Sequence, residues 1–96
     1  MVKQNQRVNL SKVITWEDVE YGNLLFNLDE LTGNDLLEAE KEYAAEGGTA
    51  PVAELNKGYL SIVAAKAAKV PVELIRALPA KDFSQVTIMV QNFLFG

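Results

Sequence analysis

Apolar and polar residues alternate along the first part of the chain. Val8, Leu10, Ile14 and Trp16 share one parity and Asn9, Ser11 and Thr15 the other, the pattern of a half-buried strand. Lys12 breaks the apolar parity. Glu17-Asp18 and then Gly22-Asn23 supply turn chemistry, after which Leu24, Phe26 and Leu28 alternate with Leu25 and Asn27. Residues 7–28 are therefore expected to form a two-stranded antiparallel hairpin, with residues 1–6 frayed before it. A lone hairpin is barely stable in water, so one face must lie on helices or on a second subunit. Its open edge offers unpaired backbone groups to a further strand.

From residue 32 to residue 95 the period becomes helical. Thr32 and Asp35 are spaced as a capping box, and Gly47 is placed to end the helix in a left-handed conformation. Leu36, Ala39 and Tyr43 make its apolar stripe, while Glu38, Lys41 and Glu42 fall on the other side. Glu42 and Glu46 lie at the wrong end of the helix dipole and repel one another, so this helix needs packing to persist. Gly47-Gly48-Thr49-Ala50 reads as a short flexible link, and Pro51 suits the first turn of the helix that follows.

That next helix is the centre of the chain. Val52, Leu55, Tyr59, Ile62 and Val63 form its main stripe, and from Gly58 to Val70 apolar or small residues occur on nearly every side, so it must be covered all round. Pro71 closes it and opens a short third helix ending before Pro79. Phe83, Val86, Val90 and Phe93 then recur at spacings of three and four, a helical period despite several strand-favouring residues. The expected fold class is α+β: one domain over residues 1–96, with an N-terminal β-hairpin followed by about four helices, the last three forming a small bundle.

Composition narrows the chemistry. The chain has 96 residues, about half of them apolar, enough for a core without cross-links. It has no cysteine and no histidine, which removes thiolate chemistry, disulfides, the usual zinc ligands and the commonest general base. Net charge is −4, unevenly spread. Residues 1–12 carry three bases and no acid, residues 17–46 carry ten acids and one lysine, and residues 47–96 carry five bases and three acids. Such an acidic middle argues against nucleic acid as a partner and suits solubility or a basic protein surface. No apolar run long enough for a membrane span is present, and the polar start reads as having no secretory signal, so a cytoplasmic protein is expected.

No constellation for catalysis emerges, and no cofactor or metal site is expected. Glu38, Glu40, Glu42 and Glu46 point in different directions around their helix and read as a solvated face. Ser61 has no base beside it and reads as a small residue easing helix contact, and Lys66 and Lys69 read as snorkelling from the buried helix. Two apolar groups are candidate partner-binding or oligomerisation residues. Trp16 and Tyr21 flank the hairpin turn, with a satellite cluster as the plainer reading. Phe93, Leu94 and Phe95 close the last helix; part of the group seals the core and part suggests a surface completed by another chain.

Leu31-Thr32-Gly33-Asn34-Asp35-Leu36-Leu37-Glu38-Ala39-Glu40, together with the later step Leu78-Pro79-Ala80-Lys81-Asp82-Phe83 and the ending Phe93-Leu94, resembles the small tail assembly chaperones of long-tailed bacteriophages and prophages. The motif positions are Leu31, Thr32, Gly33, Asp35, Leu36, Glu38, Pro79, Asp82 and Phe83, most of them structural in character. The connection around Glu17-Asp18-Val19-Glu20 is longer and more acidic than in that family. The resemblance implies a virion assembly factor without enzymatic activity. Such a protein binds the tape measure protein, keeps it soluble, helps bring tail tube subunits around it and is absent from the finished particle. A homo-oligomer is expected from the hairpin edge and Phe95. The alternative is a small adaptor or regulator of a mobile element acting through its hairpin edge.

Overall fold

The computed structural model describes residues 5–49 and 52–96. Strand β1, Asn5–Trp16, pairs antiparallel with β2, Val19–Asn27, through the two-residue turn Glu17-Asp18. Both turn residues have positive φ, 49° and 66°, as a type I′ connection requires; that turn matches the right-handed twist of the strands and so is preferred even without glycine. β1 begins at Asn5, so the fray expected through residue 6 is too long; residues 1–4 lie outside the described residues. Gly22-Asn23 is not a turn but lies inside β2.

The register explains why Lys12 breaks the apolar alternation. Asn9 pairs with Asn23 and Ile14 with Tyr21, so the four residues from Leu10 to Val13 stand opposite Gly22 alone. This is an enlarged bulge, which bends the strand and shifts its side-chain parity. Val8, Leu24 and Phe26 face the core, and Lys12 is turned out.

Four helices follow, as the α+β expectation required. A short 3-10 turn, Leu28–Glu30, leads to α1, Gly33–Ala45. Its start is the reciprocal capping box: the Asp35 amide donates to the Thr32 hydroxyl at 3.3 Å, and the Thr32 amide donates to the Asp35 carboxylate at 2.9 Å. Its end is a Schellman motif, with the Gly48 amide donating to the Tyr43 carbonyl at 3.0 Å and the Gly47 amide to that of Ala44 at 2.9 Å, while Gly47 sits at φ 86°. Gly48 is required for a different reason. A Cβ there would overlap the Tyr43 ring, which lies against it and packs α1 towards the start of the next helix.

The central helix α2, Lys57–Ala68, starts later than its apolar stripe suggested. Asn56 caps it, its side-chain oxygen accepting from the Gly58 amide at 2.8 Å and the Tyr59 amide at 3.3 Å, and a cap of this kind favours starting here over extending backward. Val52 and Leu55 therefore lie outside it and are exposed, Leu55 by way of a separate 3-10 turn, Ala53–Leu55. Pro51, read as the first turn of that helix, lies outside the described residues. α2 is buried from Tyr59 to Ala65 and again at Ala67, as an all-round apolar helix must be. Pro71 and Pro79 stand at the N-caps of α3, Val72–Arg76, and α4, Ala80–Phe95. α3 contributes Leu74 and Ile75 to the core and α4 contributes Val86 and Val90. α1 contributes only Ala39 fully, with Leu36 and Tyr43 packed at the margin.

Candidate functional site

Polar contacts between elements account for most of the residues read above as chemically suggestive. Arg76 at the end of α3 donates through both terminal nitrogens to the Glu46 carboxylate, 2.9 Å each, through Nε to the Ser61 hydroxyl at 3.0 Å, and also to the Gly58 carbonyl at 3.2 Å. One planar guanidinium thus joins the end of α1, the start of α2 and α3, a role suited to arginine alone. Ser61 is more than a small spacer: its hydroxyl donates to the Gly58 carbonyl at 2.7 Å while accepting from Arg76. The hydrogen bonds from Arg76 hold the Glu46 carboxyl below the ordinary value of 4.5, against the opposing effect of burial and with a lesser contribution from the Arg76 charge.

Lys66 does more than snorkel. Its ammonium lies 2.7 Å from Glu42 and 3.5 Å from Glu38, and the hydrogen bond to Glu42 raises it above the ordinary lysine value despite partial burial. Lys69 reaches Glu30 at 3.5 Å. The acidic face of α1 is therefore only partly a solvated one: Glu38, Glu42 and Glu46 fasten it to cations 24 to 30 positions later in the chain, and Glu40 alone of the four has no ion pair among the described residues.

Asp82, in the first turn of α4, is 2 % exposed. Its carboxylate accepts from the Ser11 amide at 3.0 Å and the Ser11 hydroxyl at 2.9 Å. The bulge turns the Ser11 amide out of the ladder, and the N-terminal end of a helix favours the carboxylate that receives it. Among the described residues no three acidic side chains converge as a metal site would need, and no helix is long and apolar enough to cross a membrane.

What remains open is an interaction surface. A groove of about 600 Å³ runs between β1 at Gln6–Val8 and α4 from Gln85 to Phe93. Its floor is the half-buried Phe93 and the buried Val8 and Met89, and its rim includes Ile88, 53 % exposed. Phe95, about two turns beyond Ile88, is 60 % exposed. The three candidate residues of this helix end divide: Leu94 and Phe93 pack against the core, and Phe95 projects outward. Trp16 and Tyr21 pack against the core margin in the distal part of the hairpin. The Trp16 indole nitrogen is buried without a partner among the described residues. The two groups do not form one surface. Ser11 already meets the N-terminal end of α4, about 20 Å along the helix from Phe95, and Trp16 and Tyr21 follow after it. Sequence reasoning missed the groove, because its β1 wall is made by Gln6 and Val8, and only the exposed Ile88, out of phase with the core stripe, hinted at it.

No protein-family model, no curated protein and no solved structure matches this chain.

Proposed function

We propose that the chain is a non-catalytic assembly chaperone of the long-tailed phage kind. It binds the tape measure protein, keeps it soluble in the host cytoplasm, promotes assembly of tail tube subunits around it, and leaves before the particle is complete. The observation that carries this reading is the open groove between β1 and α4. Its walls offer apolar side chains and the amides of Gln6, Gln85 and Asn92, with Arg7 as the one charged side chain, beside a strand edge, which suits a long, largely apolar helix from another chain. The acidic outer face of α1 keeps such a complex in solution. The two motif steps at Leu31–Glu40 and Leu78–Phe83 add the resemblance. The adaptor reading has less support, because the bulge at Leu10–Val13 leaves only a short regular stretch of β1 edge to which a strand can add.

The test is co-expression with a tape measure protein from the same genome. The partner is expected in the soluble fraction and in complex with this chain, and Ile88→Lys, which puts a charge in the groove rim, is expected to abolish both. A tape measure protein equally insoluble with and without the chain rules the reading out.

A further inference from the structure

We propose that α1 is a charge-latched flap, which opens off α2 as one unit while the hairpin, α2, α3 and α4 stay folded. Its latches pair carboxylates of the α1 segment with cations further along the chain: Glu38 and Glu42 with Lys66, Glu46 with Arg76 and, just before the helix, Glu30 with Lys69. The signs are separated by segment. Residues 28–46 hold seven acids and one lysine, a net charge of −6, whereas residues 57–76 hold four bases and one acid, a net charge of +3. Segments charged in this way attract one another, and the attraction weakens as salt screens it.

The apolar hold on α1 is slight. The Tyr43 ring rests on Gly58 while Glu42 and Glu38 reach Lys66, so α1 runs antiparallel along the row Gly58, Ile62 and Lys66 of α2. Ala39 is its one fully buried side chain. Phe26, Leu60, Val63, Ile75, Val86 and Val90, each at most 1 % exposed, come from the other elements. Opening α1 therefore uncovers one face of α2 and leaves the packing of the remaining elements in place. The chain also permits the movement. Leu28, fully buried, pins the segment before the helix, and Gly47-Gly48 follow its end. When Glu46 leaves, Arg76 keeps its bonds to the Ser61 hydroxyl and the Gly58 carbonyl, so the guanidinium stays placed for reclosure. A helix of 13 residues is marginal in water by itself, so the opened segment loses its hydrogen bonds and amide exchange reports the opening.

Native-state hydrogen exchange of the whole chain tests this. At about 20 mM NaCl the Lys41 and Tyr43 amides are expected to be protected at least about tenfold less than those of Val63 and Val90, and to respond little to urea below about 1 M, as a small opening requires. Raising NaCl to about 500 mM is expected to cut the α1 protection at least about threefold. Lys66→Gln is expected to have a similar effect at low salt and to blunt the salt response. Val86→Ala, placed in the part that stays folded, is expected to cut Val63 protection at least about fivefold and to leave the α1 amides unchanged. Amides of α1 that share the rate and urea dependence of Val63, that ignore salt or Lys66→Gln, or that follow Val63 in Val86→Ala overturn the proposal. These measurements use the chain alone, so their outcome is separate from that of the tape measure co-expression.

Discussion

At the scale of single residues, backbone conformation decides more than side-chain chemistry. Two helix ends use the left-handed region: α1 passes through Gly47 at φ 86°, while α2 stops at Lys69 with φ 59°. Glycine adopts this region freely, but a residue with a Cβ gives up about 1 to 2 kcal/mol to do so. Lys69 gains only the ion pair with Glu30, at 3.5 Å between two well-exposed side chains, an interaction of a few tenths of a kcal/mol, roughly. Lys69→Gly is therefore expected to stabilise the protein by about 0.5 to 1 kcal/mol, raising the melting temperature by roughly 2 to 8 °C. Gly47→Ala is expected to lower it by a similar amount. Thermal unfolding of the pair followed by circular dichroism checks both signs, and a Lys69→Gly variant less stable than its parent refutes the argument.

At the scale of elements, α1 is the least embedded helix and the one most dependent on charge. Only Ala39 of it is fully buried, so its attachment rests on Leu36 and Tyr43 at the core margin and on three ion-paired carboxylates. The Glu46 carboxyl is held below 4.5 by hydrogen bonds from Arg76, so its contribution is present above that unfolded value and lost as pH falls through the lowered folded one. Lys66 is raised above 10.5, first by its hydrogen bond to Glu42, so its contribution is present below 10.5 and lost as pH rises through the raised value. Between about pH 5 and pH 10 both attachments hold. Glu46→Gln is expected to be less stable than the parent on that plateau, and the gap is expected to narrow as pH falls below 4.5 and to close as the parent's own carboxyl is protonated at its lowered folded value. Parallel urea titrations at descending pH, with the Glu46 carboxyl followed by NMR, measure it; a gap that persists unchanged once that carboxyl is protonated assigns the loss to packing rather than charge. Arg76→Lys is not expected to substitute, because an ammonium cannot span Glu46, Ser61 and the Gly58 carbonyl together.

At the scale of the molecule, what the sequence disclosed and what it concealed divide by chain distance. The capping box at Thr32, the stop at Gly47, and the helices opened after Pro71 and Pro79 were all legible, because each is settled within a few residues by local sterics and hydrogen bonding. Illegible were the contacts that join one element to another. The bulge at Leu10–Val13 left only a broken parity at Lys12 as its trace, the Arg76 clamp spans 30 positions, and Ser11 meets Asp82 across 71. The same held for the candidate surface: Phe95 and Ile88 were visible as residues, but the groove between them and β1 exists only once the strand is laid against α4.

That strand is laid there by packing of Val8, Leu24 and Phe26 and by one buried carboxylate, and their roles are separable. A two-stranded hairpin has little stability of its own, so whatever holds β1 to α4 also holds the hairpin folded. In Asp82→Leu the apolar contacts survive, but the exposed Ser11 loses the charged acceptor of both its amide and its hydroxyl in a place where the amide has already left the ladder; a hydrogen bond to a charged group contributes about 1.5 to 3 kcal/mol, part of which water restores. Asp82→Asn keeps one acceptor oxygen and loses the charge that favours the helix start, for a cost of about 1 kcal/mol. The expected order of melting temperatures is parent, then Asp82→Asn, then Asp82→Leu. Amide hydrogen exchange supplies the sharper reading. If the carboxylate is the pin, Ser11 loses protection in both variants by more than the global loss of stability accounts for, while Leu60 and Val63 at the centre of α2 lose only that global share. Uniform loss across both elements instead makes the hairpin an integral part of the core, with Asp82 an ordinary contributor to it.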